Sequence, residues 1–393
     1  MKVTKLETLH ADAGWRNLSF LKISTDAGIV GYSEYNESFG SKGTTSVIEN
    51  LAPFVIDCDP MSHDVISSRL YAMTRLARGG INAQAIAAIE NALLDVKGKS
   101  LQVPVYELLG GKQRDTLPLY WSHCGTFRMN ETTAKFINKP VMTSVNDLID
   151  LAVEVKESGF KALKCNMYRF NEKNYFKGDP FGTNLLPREE SMNADTELLN
   201  ELTMQMSALR QGAGDEMEIL LDMNFSFKTE GFIKVIRALK QFELYWYEID
   251  MFHPKGLAYI REQGNVPIAS CESLYGIRDF RPFFEEQSMD VAIIDVPWNG
   301  AWQSYKIAAL ADAHETNIAP HNFYGHLASA MSANFCAAVP NFRIMEIEVD
   351  DVSWKDDLVT HPPEIRNGEY IVSDRPGWGT DVNEEAVRAY PPR

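Results

Sequence analysis

EILLDMN (residues 218–224), LYWYEID (244–250) and PIASCES (267–273) are apolar runs that each stop at an acid: Asp222, Glu248 and Glu272. The three acids stand 26 and 24 residues apart. A run of about five apolar residues halting at a carboxylate reads as a buried strand with a charged side chain at its C-terminal tip. A repeat of this length suits a strand plus a helix, and such units close into a barrel whose chemistry collects at the C-terminal strand ends. Neighbouring strands then aim their last side chains at one region. Carboxylates brought together repel one another unless a cation lies among them. Oxygen donors alone suit a hard ion, most simply Mg2+. The plainer reading is three unrelated solvated acids, and the shared register of the three argues against it.

The stride continues. DVAIIDVPWNG (290–300) brings Asp295, 23 residues after Glu272; ETNIAPHNF (315–323) brings His321 after 26 more; NFRIMEIE (341–348) brings Glu346 after another 25. Between these runs lie stretches such as QSYKIAALADAHE (303–315), apolar at helical spacing. Upstream, GFKALKCNMY (159–168) supplies a strand ending near Lys164 and Asn166, and LPLYWSHC (117–124) supplies the first, making eight strands between about 117 and 346. The unit from Lys164 to Asp222 is the longest, at 58 residues. It contains the polar, turn-rich YRFNEKNYFKGDPFGTNLLPREES (168–191), which reads as a loop inserted over the barrel mouth at about 168–192.

The 393 residues, 45% hydrophobic and 23% charged, are enough for a large core and two domains. A formal charge of −16 excludes nucleic acid as an expected partner, because phosphate contacts need a basic face. An anionic small molecule stays admissible, since a bound dication and local lysines set the field of the site. The five cysteines (Cys58, Cys124, Cys165, Cys271 and Cys336) show no CxxC spacing, which points to reduced thiols in a cytosolic setting. No run reaches membrane length, and the first residues carry no apolar signal core.

Residues 1–55 alternate in strand fashion, and LSFLKISTDAGIVGYSEY (18–35) reads as a hairpin turning at Asp26-Ala27-Gly28. AQAIAAIENALLDVKGKS (83–100) is helical, with Gly98 a candidate stop; VPVYELLGGK (103–112) makes a short helix and a Gly-Gly break. The expected division is an α+β domain over 1–115, a barrel over 116–350, and a tail over 351–393 that folds back on the first domain and includes the strand-like EYIVSD (369–374).

The strand-end residues, with AIENALLDVKGKSLQVPVYELLGG (88–111) and SDRPGWGTDVNEEAVRAY (373–390), resemble the enolase superfamily along essentially the whole chain. The likeness is to its mandelate racemase-like branch of acid-sugar dehydratases and racemases. It implies a modified TIM barrel, (β/α)7β, an α+β capping domain formed by the N-terminal region and the tail, one Mg2+, a homo-oligomer, and proton abstraction beside a carboxylate. Superfamily sites use a Lys or His base with Mg2+ holding an enediolate.

Within that resemblance Asp222, Glu248 and Glu272 are the Mg2+ ligands. His321 is the acid/base, and Asp295 on the preceding strand accepts its other N–H, fixing the tautomer. Relatives often carry Lys-x-Lys on the second strand; here the text is Lys164-Cys165-Asn166, and Asn cannot act as a base. Some sugar-acid dehydratases place a His two residues after the first ligand, where this chain has Asn224. The expectation is a one-base enzyme. His321 takes the proton and helps expel a β-hydroxyl, and Lys164 stabilises the enediolate or serves as a second base if its pKa is lowered. Glu346 is expected to bind the substrate carboxylate, sometimes as a protonated donor, with Asn166, Asn224 and Arg16 as further substrate contacts. Trp298, Trp302, Phe323 and Tyr324 read as packing. Three readings follow: dehydration of an aldonate or aldarate to a 2-keto-3-deoxy acid; racemisation, epimerisation or cycloisomerisation with Lys164 as the other base; and a silent carboxylate-binding protein.

Overall fold

The computed structural model describes residues 1–38, 41–170 and 194–393, so nearly all of the expected 168–192 insertion lies outside the described residues. Strands β1 (Val3–Asp12), β2 (Asn17–Thr25) and β3 (Val30–Tyr35) form an antiparallel sheet in that order. The expected hairpin is the β2–β3 pair. Helices Thr44–Leu51, His63–Thr74 and Gly80–Leu101 cover the sheet, and Leu21, Ile23, Ile48, Ile66, Leu70, Ile89 and Leu93 fill the core between them. Gly98 does not stop its helix. The helix runs to Leu101 and ends on Gln102 in the left-handed region. Gly98 is small for another reason: a Cβ there would lie 2.9 Å from the Val103 carbonyl and 3.0 Å from the Gly377 Cα.

The barrel follows. Strands β4 (Thr116–Trp121), β5 (Ala162–Asn166), β6 (Glu218–Asp222), β7 (Trp246–Glu248), β8 (Ile268–Ser270), β9 (Val291–Asp295) and β10 (Asn317–His321) lie parallel in chain order. The last strand, β11 (Met345–Ile347), returns parallel to β4. Just before it, Asn341 and Arg343 hydrogen-bond to the backbone of Ile318 in β10 at 2.9 Å each, which closes the ring. Helices Asp147–Glu157, Thr196–Ala213, Thr229–Leu239, Pro254–Gly264, Gly276–Glu285, Ala301–Ala313 and His326–Ala338 link successive strands, giving (β/α)7β. Parallel strands covered on both faces need apolar residues throughout, as in VAIID, where all five residues are buried. Tyr120, Leu220, Trp246, Ala269, Val291, Ile293 and Ala319 form an inner core.

The tail does more than the sequence led one to expect. Its hairpin, β12 (Ile365–Arg366) and β13 (Glu369–Ile371), adds antiparallel to barrel strand β4. Residues on both sides of it reach the capping domain: Asp351 pairs with Arg16 (2.9 Å), Trp354 Nε1 donates to the Asp12 carbonyl (2.9 Å), Trp378 Nε1 donates to the Tyr32 carbonyl (3.0 Å), Glu384 pairs with Lys22 (2.6 Å), and the Tyr390 carbonyl accepts from the Asp12 amide (2.9 Å). The cap is docked by acids set at barrel-helix N-termini, where the helix dipole favours negative charge. Glu34 accepts from the amides of Gly325 (2.6 Å) and Ala328 (3.0 Å), and Glu90 from that of Trp302 (3.1 Å). The five cysteines are unpaired. Among the described residues, no helix is long and apolar enough to cross a membrane.

Candidate active site

Strand register levels the tips. Asn166 faces Asp222, Asp222 faces Glu248, and Asp295 faces His321 across neighbouring strands. Glu272 lies just beyond β8, while Lys164 and Glu346 sit within β5 and β11 rather than at their ends. Three strand exits bend through the left-handed region on residues that carry a Cβ: His123 (φ 43°), Asn224 (46°) and Cys271 (91°). Such backbone is costly and gathers where side chains must be aimed.

The acids form one arc of the mouth. Asp222 accepts from the Asn224 amide (3.0 Å) and side chain (2.7 Å), so Asn224 holds a candidate ligand in place rather than standing free for substrate. Glu248 is fully buried and accepts from Trp246 Nε1 at 3.1 Å. Burial pushes its carboxyl up to about 8; Lys164 opposes this, while Asp222, Glu272 and Glu346 add to it. Glu272 is likewise raised by burial, with His321 opposing and Asp222 adding. A fourth acid escaped the sequence reading. Asp250 follows Glu248 by two residues, is buried, is pushed well up by burial and then by Glu272, Asp222 and Glu248, and leaves Oδ2 without a hydrogen bond. In their present conformations no three His, Cys, Asp or Glu side chains among the described residues converge as a metal-holding group. The donor set nevertheless fits a hard dication: it is all oxygen, it repels itself, and it includes one orphaned carboxylate oxygen.

Lys164 stands among these acids, with Nζ 3.0 Å from Glu346, 3.2 Å from Glu248 and 3.6 Å from Asp222. Burial alone would lower its pKa, but Glu248 and Glu346 drive it well above the usual value. Among these acids alone, Lys164 is held as an ammonium. Glu346 corrects an expectation. Burial opposes its ionisation, yet Lys164, His321, His123 and the Ser122 hydroxyl hold it down at about 2. It is an acceptor, taking bonds from Ser122 Oγ and from the Asn322 amide (2.6 Å), and not a protonated donor.

His321 and Asp295 are brought together as the spacing implied. His321 Nδ1 lies 2.5 Å from Asp295 Oδ2, whose carboxylate also accepts from the Tyr324 hydroxyl (2.6 Å) and the Trp298 amide (2.7 Å). His321 Nε2 points toward Glu272, 3.7 Å away. Burial would lower the imidazole, but Glu272, then Asp295 and Glu346, lift it to about 10. Trp298, Phe323 and Tyr324 pack on the ring at 5.5, 5.1 and 5.5 Å between centroids, while Trp302 stacks on Tyr305 instead. Trp298 also lines a cavity of about 410 Å³ between the His63–Thr74 helix and the loops after β8 and β9, away from the acids.

Arg16 is not an exposed clamp. Its side chain is buried, pairs with Asp351 at 2.9 Å, donates to the Phe323 carbonyl and lies 4.2 Å over Trp15. It pins the cap loop to the barrel beside His321. Asn166 Oδ1 is engaged by the Thr126 hydroxyl at 2.6 Å. Also missed was His123, whose Nδ1 lies 3.0 Å from both Glu348 Oε2 and Ser122 Oγ. Its strand was legible, but its partner comes from β11, far along the chain.

Comparison with known proteins agrees with this geometry. Residues 8–110 match the mandelate racemase / muconate lactonizing enzyme N-terminal domain family, and residues 147–386 match the enolase C-terminal domain-like family. A D-xylonate dehydratase of Haloferax volcanii is 26% identical, covering 99% of this chain and 89% of its own. A D-gluconate dehydratase of Thermoproteus tenax is 28% identical over 97% of this chain and 71% of its own. A solved structure from Burkholderia xenovorans, provisionally named an L-alanine-DL-glutamate epimerase and bound to magnesium and fumarate, is 50% identical with a TM-score of 0.95, covering 100% of this chain and 96% of that one.

Proposed function

The chain belongs to the enolase superfamily, and from that premise we propose that it is a Mg2+-dependent sugar-acid dehydratase, converting an aldonate or aldarate to a 2-keto-3-deoxy acid. The observation that carries the reading is the His321–Asp295 pair, closed at 2.5 Å, with its free nitrogen directed at the acid arc. Asp222, Glu248 and Glu272 would hold the ion, which would supply positive charge to the substrate carboxylate oxygens. A proton beside a carboxylate is very weakly acidic, so its removal needs preorganised charge where the second negative charge develops. Lys164 provides this as an ammonium held among Glu346, Glu248 and Asp222. Glu346, kept ionised, orients Lys164 and the Asn322 amide. Glu272 does most to lift His321, so with an ion offsetting Glu272 the neutral imidazole would take the proton on Nε2, and Asp295 would steady the imidazolium. The same imidazolium then protonates the β-hydroxyl, which leaves as water.

A second reading, epimerisation or racemisation, is favoured by the Burkholderia relative at 50% identity. That reading takes Lys164 as the second base. One experiment separates the readings: a panel of aldonates and aldarates incubated in D2O with Mg2+, assayed by semicarbazide for keto acid and by NMR for deuterium at the α-carbon. Keto acid with exchange is the expected result. Exchange without keto acid selects the second reading, and neither signal from any acid overturns both.

A further inference from the structure

We propose that His123, oriented by Glu348 and Ser122, is a second proton-transferring imidazole of this site, standing in for the lysine that Asn166 replaces. The proposal rests on the functional reading above. β4 lies beside β5, and the Cys124 amide donates to the Lys164 carbonyl at 2.9 Å, so His123 stands next to the strand that lacks the second lysine. Its left-handed backbone turns it out of the strand line at the barrel mouth.

The hydrogen bonds select a tautomer. Ser122 gives its proton to Glu346, which leaves the serine oxygen to accept. Glu348 Oε2 lies at the same distance, 3.0 Å, from the same nitrogen. Ser122 favours Nδ1–H, which leaves the lone pair on Nε2; Glu348, whose carboxyl burial pushes well up, accepts that proton only when ionised. The side chain keeps 19% of its surface open. The ring lies between Phe127 and Phe323, 5.7 and 5.3 Å from their centroids, and Phe323 is also 5.1 Å from His321. Two imidazoles, each backed by a carboxylate, thus border one aromatic wall. Burial holds His123 down to about 4, so the ring is neutral.

In the step, Nε2 of His123 takes the α-proton, and the C–H electron pair passes into the enediolate. His321, entering as the imidazolium, returns a proton to the same carbon from its own side, inverting it, or gives it to the β-hydroxyl, which departs as water. His123 releases its proton to solvent.

The test compares His123→Asn, whose amide keeps a group at the Nδ1 position but deletes Nε2, with His321→Asn. Both are incubated with Mg2+ in D2O against C2-epimeric aldonate pairs, D-gluconate and D-mannonate first, with deuterium at C2 read by NMR. The expected result is that His123→Asn loses exchange by about 100-fold or more from one configuration and keeps it from the other, and that His321→Asn shows the converse. Exchange unchanged in His123→Asn, or slowed equally from both configurations, overturns the proposal while leaving the functional reading intact. No exchange by the wild type from any pair overturns the functional reading and this proposal with it.

Discussion

The barrel mouth has two unlike halves. Along β6 to β8, Asp222, Glu248, Asp250 and Glu272 crowd together, three of them with carboxyls raised mainly by burial and one, Asp250, with an oxygen that bonds to nothing. Along β9, β10, β11 and β4, each ionisable group has a close partner: His321 with Asp295, Glu346 with Lys164, His123 with Glu348. Both halves are equally buried, so burial alone does not explain the contrast. What differs is the balance of charge. The first half has the composition of a cradle for a cation, and the second pairs its acids with imidazoles and an ammonium.

Changes confined to one half should leave the other readable. The largest effect is expected from Asp295→Asn, which keeps the shape but offers Nδ1–H the wrong partner. Exchange at the α-carbon should fall by about 10⁴-fold, with little change in Mg2+ uptake measured calorimetrically. Glu248→Gln should act the other way, weakening Mg2+ binding by about 100-fold or more while leaving the His321–Asp295 pair intact by NMR. Should Asp295→Asn abolish Mg2+ uptake, the two halves are not separable.

A smaller effect concerns pH. Glu248 and Glu272 have raised folded-state pKa values, so each binds more protons folded than unfolded, and stability falls as pH climbs from the usual carboxylate value toward about 8 for Glu248. His321, raised to about 10, contributes stability that is complete below its ordinary 6.5 and lost as pH rises toward 10. Without Mg2+ the melting temperature should therefore drop by a few degrees, about 2–4 °C per kcal/mol, between pH 6 and 9, and Mg2+ should flatten the slope. On the acid side the sign reverses. Glu346, depressed to about 2, loses its contribution as pH falls through that value, and His123, held at about 4, must be charged against burial. An equal Mg2+ effect at pH 6 and 9 would contradict this account.

The sequence was legible where function repeats locally. A strand that ends in an acid every 23 to 26 residues announces both the barrel and its chemistry, because strand period and helix length together fix that stride. Asp250 stayed hidden because a second acid in YEID looks like solvent-facing punctuation once Glu248 is taken as the strand tip. Glu348 and His123 stayed hidden because their pairing closes the barrel between its last and first strands. The buried pairing of Arg16, expected as a substrate contact, was not legible because Asp351, its partner, is 335 residues away. The pKa directions of Lys164 and Glu346 were not available either, since they depend on which charges surround a buried atom.

One contact has a consequence for the order of assembly. The Trp15–Arg16 turn, which roofs Phe323 beside His321, is fastened through Asp351, and the strand leading out of it is tied by Lys22 to Glu384. A nascent chain must therefore wait for more than three hundred further residues before that roof can lock. Cap maturation on the ribosome should come late, after every strand of the barrel has already been synthesised.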